Sequence, residues 1–211
     1  MAANESWIES VTKSNSGEVG AAVPTAPPAT PTPARLAEVI ADIAFTNELG
    51  HTVRWSQFDG QAVGFTFFFT RCPLPEYCPR LMKNFAGASR KLAVLSGGPT
   101  NWHLLALTFD PEFDQPPVLR AYANAYGANP NRWNFLVTSP ENTARIARLF
   151  GLNYVKEGGT INHDFRTVIV DALGRVQADW PIGGDTTDML VAELVKAARA
   201  TNAAADTPPK L

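Results

Sequence analysis

Cysteine is scarce in this chain of 211 residues, with only Cys72 and Cys78 present. One intramolecular bridge is therefore the most it can form, and the pair is a structural disulfide, a redox couple or part of a metal site. Histidine is nearly as rare, with three residues, His51, His103 and His163. Neither sign of charge is in excess, since 18 Lys and Arg stand against 20 Asp and Glu. That balance leaves no polybasic face for nucleic acid or anionic lipid, and neither is expected as a partner. No apolar run approaches the roughly 18 residues that a membrane-spanning helix needs. Met1 to Trp7 also lacks the basic and apolar regions of a secretory signal. No internal repeat is present.

Apolar residues are plentiful: 45% of the chain is hydrophobic, with 12 Phe and 5 Trp, enough to fill a sizeable core. Their distribution divides the chain. Residues 23–35 form a Pro/Ala/Thr-rich linker whose five prolines between Val23 and Ala34 favour extended backbone. Residues 1–22, including Trp7-Ile8-Glu9-Ser10-Val11, read as the remnant of an upstream segment, which points to a truncated chain whose signal or anchor is missing. Residues 36–202 form one domain, and 203–211 a flexible tail.

Within the domain, strand and helix patterns alternate. Thr52 to Trp55 predicts a short strand, and Gln61 to Phe69 a strand buried on both faces. Leu81, Met82, Phe85, Ala88, Leu92 and Leu95 share one helical stripe, with Pro79 suited to the first turn. His103 to Phe109 predicts a strand and Pro116 to Tyr126 a helix. Asn134 to Val137 predicts another strand, ending at Ser139-Pro140-Glu141, an N-cap signal for a helix running to Phe150. Arg166 to Val170 and Arg175 to Trp180 form a hairpin around Asp171-Ala172-Leu173-Gly174. Asp185 or Thr186 caps a last helix through Met189, Leu190, Leu194 and Val195. This order, with a close cysteine pair after the central strand, predicts an α/β thioredoxin-like sandwich with a central sheet flanked by helices.

Cys78 directly precedes Pro79, at the start of a predicted helix, where the helix dipole favours a thiolate. Residues six apart on a continuous helix lie about 240° apart around its axis. Pro73-Leu74-Pro75-Glu76-Tyr77 must therefore be at least partly non-helical if Cys72 is to reach Cys78. His163 follows the Gly158-Gly159 pair and is expected in a loop before a core strand, facing the cysteines. Two thiolates and an imidazole make a soft donor set suited to copper. His51 is expected in a solvated hairpin turn, and His103 at a surface or edge position. Asp110 and Asp114 are candidates to steady the site, although either alone reads more simply as a turn cap. Glu76 is a candidate extra ligand or partner-steering group, but reads better as an exposed loop acid.

Four stretches occur in a telling order: Thr70-Arg71-Cys72-Pro73 with Cys78-Pro79, Leu107 to Pro116, Trp133-Asn134-Phe135-Leu136, and His163 to Asp171. On these, the region from about Phe45 to Ala198, about three quarters of the chain, resembles the Sco/SenC family. These are copper-binding thioredoxin-like proteins that serve assembly of the copper site of cytochrome c oxidase. The resemblance implies copper, as Cu(I) or Cu(II), on Cys72, Cys78 and His163. It implies a copper chaperone whose partner is the copper-site subunit of cytochrome c oxidase or another copper protein. It also implies a periplasmic location, or a membrane anchor outside this chain with the domain facing the periplasm. The family normally separates its cysteines by three residues, whereas here five intervene, which requires a bulged loop.

The alternative class is a thiol–disulfide oxidoreductase, or a redox or copper sensor, with a reversible Cys72–Cys78 disulfide. If the chain has an enzymatic activity, thiol–disulfide exchange is the one expected. A peroxiredoxin signature would need Pro at Phe65 and Thr at Phe69. Reductases of this fold present a cis-proline opposite the thiols, and no proline lies between Pro140 and Pro181. A five-residue loop can bring two Cα atoms within the roughly 7 Å that a disulfide requires. Metal-free protein purified in air is accordingly expected to resist alkylation until reduced, as read by intact mass. Two freely alkylated thiols in the unreduced sample would contradict this.

Overall fold

The computed structural model describes residues 40–157, 160–181 and 184–200. The upstream remnant, the linker, the tail and the outer edges of the predicted domain lie outside these residues. In chain order the strands are β1 (Ala44–Asn47), β2 (Thr52–Arg54), β3 (Ala62–Phe68), β4 (Trp102–Thr108), β5 (Trp133–Val137), β6 (Tyr154–Glu157), β7 (Thr160–His163), β8 (Thr167–Val170) and β9 (Val176–Trp180). The helices are α1 (Cys78–Val94), α2 (Pro116–Ala125), α3 (Pro140–Leu149) and α4 (Thr187–Ala198). A 3-10 turn spans Trp55–Phe58.

Seven strands form one sheet in the order β2-β1-β5-β4-β3-β8-β9. The central strands β3, β4 and β5 are parallel, and β8 closes antiparallel on β3. This is the expected α/β thioredoxin-like sandwich. Both β3 and β4 are buried at every residue, as their unbroken apolar runs require of strands covered on both faces.

The two faces divide by residue parity. Phe65 and Phe67 turn towards Trp55 and Phe150 on one side. Phe68, on the other side, stacks on Tyr122 of α2 and meets Phe135. Each fully buried Phe contributes roughly 1.5–3 kcal/mol relative to an exposed one. Gly64 of β3 is so closely covered that a Cβ there would lie 2.8 Å from Leu104 Cδ2 of the neighbouring β4, with Leu190 Cδ1 of α4 in ordinary contact at 3.6 Å. Gly87 of α1 leaves similar room for Thr187.

Three features depart from the sequence expectations. The strand predicted to include Trp55 stops at Arg54, because Trp55 turns inward to open the 3-10 turn. His103 is not a surface or edge residue. It is only 7% exposed inside β4, the centre of the sheet, where its ring packs on Phe58 and bonds Asn134. His163 ends β7 of a separate two-stranded hairpin, β6–β7, where a loop was expected. Elsewhere the signals held: Ser139 caps α3 by accepting from the Asn142 amide at 3.2 Å, and His51 is exposed in the β1–β2 turn.

The tight approach of Leu104 to Gly64 yields a stability prediction. Gly64→Val should lower the unfolding free energy by about 1–3 kcal/mol through overpacking. Urea denaturation reads this directly, and an unchanged midpoint would show that Leu104 yields without cost.

Candidate metal centre

The two cysteines sit where β3 gives way to α1. Cys78 is the first residue of α1 and is fully buried, with Tyr77 as the N-cap residue and Pro79 following. Pro73 to Tyr77 is non-helical, as the spacing required, and the Tyr77 amide donates to the Leu74 carbonyl at 3.1 Å. Cys72 is half-buried, and its amide donates to the Phe69 carbonyl at 3.3 Å. Both residues are free thiols in this structure.

Burial and pairing make the thiols unequal. The Cys78 side chain, as hydrogen-bond partner, lowers the Cys72 pKa to about 6, against the opposing effect of burial. The same bond, together with burial, holds Cys78 protonated far above the usual thiol range. Cys72 is therefore a thiolate at neutral pH while Cys78 keeps its proton.

His163 reaches the pair from the β6–β7 hairpin. Its Nδ1 lies 2.8 Å from the Asp164 carbonyl oxygen, which can only accept. Nδ1 therefore carries the proton and Nε2 the lone pair. That Nε2 lies 3.9 Å from Cys78 Sγ. The ring is walled by Phe165, Phe109 and Phe69, with centroids 4.1, 4.7 and 5.6 Å away. Burial among them lowers the His163 pKa, with the Asp164 hydrogen bond pulling the other way. The imidazole thus stays neutral, as a metal ligand must.

Asp110 and Asp114 hold this arrangement together from the loop after β4. Asp110 is 3% exposed and pairs with Arg71 Nη2 at 2.5 Å and Lys156 Nζ at 3.3 Å. Arg71 adjoins Cys72 and also lies over the Phe113 ring, 4.0 Å from its centroid. Lys156 belongs to β6 and also pairs with Glu112 at 3.0 Å. Asp114 is fully buried and accepts from the Thr70 amide at 3.1 Å and from the Thr70 and Thr108 hydroxyls. Burial raises its carboxyl pKa, and those hydrogen bonds hold the rise back. Both aspartates thus do more than cap a turn. Glu76 is an exposed loop acid that pairs with Arg80 at 3.1 Å, one helical turn along.

Cys78 and His163 face one another, and Cys72 sits beside Cys78. Among the described residues, however, no three Cys, His, Asp or Glu side chains already form a metal-holding group. Cys72 Sγ lies 3.9 Å from the Leu74 carbonyl. The donor set nevertheless suits a soft ion: a thiolate, a second thiol able to lose its proton to a metal, and an imidazole with its lone pair inward. Arg71, Lys156 and the phenylalanine wall were not singled out in the sequence. Only Arg71, beside Cys72, carried a positional hint.

The sequence matches the SCO1/SenC family over residues 31–199. A search of curated proteins finds no match. Among solved structures, it is similar to apo Sco1 from Thermus thermophilus, with 30% identity and a TM-score of 0.57, covering 72% of this chain and 87% of that one. Arabidopsis thaliana ScoI with copper bound is 22% identical with a TM-score of 0.63, covering 74% of this chain and 96% of that one. Yeast Sco1 with copper bound is 19% identical with a TM-score of 0.61, covering 79% and 93%.

The inequality of the thiols can be measured. Alkylation of the reduced, metal-free protein should label Cys72 first, with a rate that rises through a midpoint near pH 6. Peptide mass spectrometry across pH reads both site and midpoint. Equal labelling of the two, or a midpoint near the unperturbed ~8.5, would contradict the assignment.

Proposed function

The chain belongs to the SCO1/SenC family, and from that premise we propose that it is a copper-binding metallochaperone using Cys72, Cys78 and His163. One observation carries the ligand assignment: the unprotonated Nε2 of His163 faces buried Cys78 Sγ at 3.9 Å, with the Cys72 thiolate alongside. Copper is the cargo, and two sulfurs with one imidazole match its soft preference. The family relatives solved with copper bound support that choice of metal. The recipient is the copper site of cytochrome c oxidase or another copper protein, and the working compartment is the periplasm.

Each protein group has a defined part. Cys72 arrives as a thiolate, Cys78 must release its proton as the metal binds, and His163 offers its lone pair without deprotonation. Because the His163 pKa is lowered, proton competition at that ligand sets in only below the usual histidine range. Asp110 keeps the cysteine loop and the histidine hairpin in register. Around the mouth, Leu74, Tyr77, Phe113 and Val155 are exposed at 51, 40, 42 and 52%, an apolar rim suited to transient contact with a protein recipient.

A second reading, thiol–disulfide exchange, is favoured by the low Cys72 pKa beside a buried thiol. In that reaction the Cys72 thiolate attacks a partner disulfide, Cys78 resolves the mixed disulfide, and two electrons pass to the partner.

Anaerobic Cu(I) titration against a competing chelator tests the proposal. His163→Ala should weaken binding more than tenfold, a loss of over ~1.4 kcal/mol, while the circular dichroism of the fold is retained. Cys72→Ala/Cys78→Ala should abolish tight binding. Unchanged affinity in His163→Ala would move the site elsewhere. Thioredoxin-like turnover of a disulfide substrate without copper affinity would favour the second reading.

A further inference from the structure

Tyr77 occupies a position that favours a different kind of residue. It is the N-cap of α1, with φ −107° and ψ −112°, and its side chain makes no capping hydrogen bond. Ser, Thr, Asp and Asn are preferred there because their side-chain oxygens accept from the first amides of the helix. A phenol ring forgoes that bond, and a local preference overridden beside a functional site marks a side chain kept for another contact. Tyr77 makes one. Its ring lies against Phe165, with centroids 5.0 Å apart and planes at 34°.

Phe165 in turn lies against the His163 ring, with centroids 4.1 Å apart. That is nearer than Phe109 and Phe69, at 4.7 and 5.6 Å. Tyr77, Phe165 and His163 therefore form a continuous aromatic column. It starts at the residue next to Cys78 and ends at the imidazole whose Nε2 lies 3.9 Å from Cys78 Sγ.

The histidine needs such a hold. His163 ends β7, and β6 and β7 form a sheet of their own, with no ladder to the seven-stranded sheet. The place of the ring relative to the sulfurs thus depends on side chains. Phe69 and Phe109 follow β3 and β4 and supply walls from the main sheet. Tyr77 comes from the cysteine loop itself, and its backbone is fastened on both sides. Its amide donates to the Leu74 carbonyl at 3.1 Å, and its carbonyl accepts from the Leu81 amide at 2.9 Å. A ring on so fixed a backbone is a firm backstop for Phe165.

We propose that Tyr77 is a positioning residue for copper: acting through Phe165, it holds the His163 imidazole towards Cys78 and slows loss of the bound ion. The inference rests on the assignment of Cys72, Cys78 and His163 as ligands. Holding a ligand in place beforehand lowers the ordering cost of binding, and one aromatic pair is worth about a two- to tenfold change in affinity. The phenol hydroxyl has no part in this, so a phenyl ring should serve equally.

Anaerobic Cu(I) competition on the reduced full chain tests this in a double-mutant cycle of Tyr77→Ala and His163→Ala. Tyr77→Ala, a change at a side chain 40% exposed, should weaken binding about two- to tenfold and speed transfer of Cu(I) to a chelator. Tyr77→Phe should keep the parent affinity. In the His163→Ala background Tyr77→Ala should have no further effect, because the ligand it positions is gone. A general disturbance of the cysteine loop would instead weaken both backgrounds alike. In the metal-free protein the His163 ring-proton resonances, set by the Phe165 ring current, should move in Tyr77→Ala and stay in Tyr77→Phe. With His163→Ala still weakening binding, any of four results would overturn the proposal alone: unchanged affinity in Tyr77→Ala, equal losses in both backgrounds, Tyr77→Phe as weak as Tyr77→Ala, or unmoved His163 resonances. Full affinity in His163→Ala would overturn the ligand assignment and the proposal with it.

Discussion

The carboxylate of Asp110 stands between two cations that come from opposite sides of the cysteine–histidine pole. Arg71 arrives from the cysteine loop and Lys156 from the hairpin that ends in His163. A buried carboxylate is costly unless it is paired and hydrogen-bonded, and removing one partner leaves the other stranded. The ionic contact therefore constrains two segments that share no backbone pairing with one another. Asp114 does the complementary work within the loop, gathering Thr70 and Thr108 onto one carboxylate. The run Thr108-Phe109-Asp110-Pro111-Glu112-Phe113-Asp114 thus acts as a bracket, and Phe109 of the same run forms a wall of the His163 pocket.

The electrostatics of that pole follow from the bracket. Arg71 and Lys156 both pair with Asp110. What lowers the Cys72 pKa is mainly the Cys78 side chain, a neutral hydrogen-bond partner. The donor atoms consequently meet an apolar, aromatic environment in which a soft ion loses little and a hard, strongly hydrated ion loses much. The surrounding rim continues that character outward through Leu74, Tyr77, Phe113 and Val155.

Much of this was legible in the sequence, and what was not has physical causes. The β3 and β4 runs and the Ser139 cap are local signals, and they read correctly. The β6–β7 hairpin did not: Tyr154-Val155-Lys156-Glu157 and Thr160-Ile161-Asn162-His163 are short and polar, and stand through pairing with one another. His103 was misplaced because a lone histidine at a strand start carries no mark of depth. Its burial is set by Asn134 and Glu48, 31 and 86 residues from their respective partners. Asp110 was a candidate to steady the site, but its pairing with Lys156 was invisible, since Lys156 lies 46 residues downstream with no periodic relation to it.

The unusual cysteine spacing is the point where local physics decides most. Helix α1 begins at Cys78, so the five intervening residues lie outside the helix and do not rotate Cys78 away from His163. The geometry between Cys78 Sγ and His163 Nε2 is therefore insensitive to loop length, and only Cys72 feels the insertion. Its added freedom is small. Doubling a loop costs about 0.6 kcal/mol in closure entropy, and growth from three residues to five is less than a doubling. Pro73 and Pro75 reduce the unfolded freedom of the loop further, and the Glu76–Arg80 pair ties its end to the first turn of α1. A longer loop of this kind shifts the resting place of one thiolate while leaving the approach of Cys78 Sγ to His163 Nε2 intact.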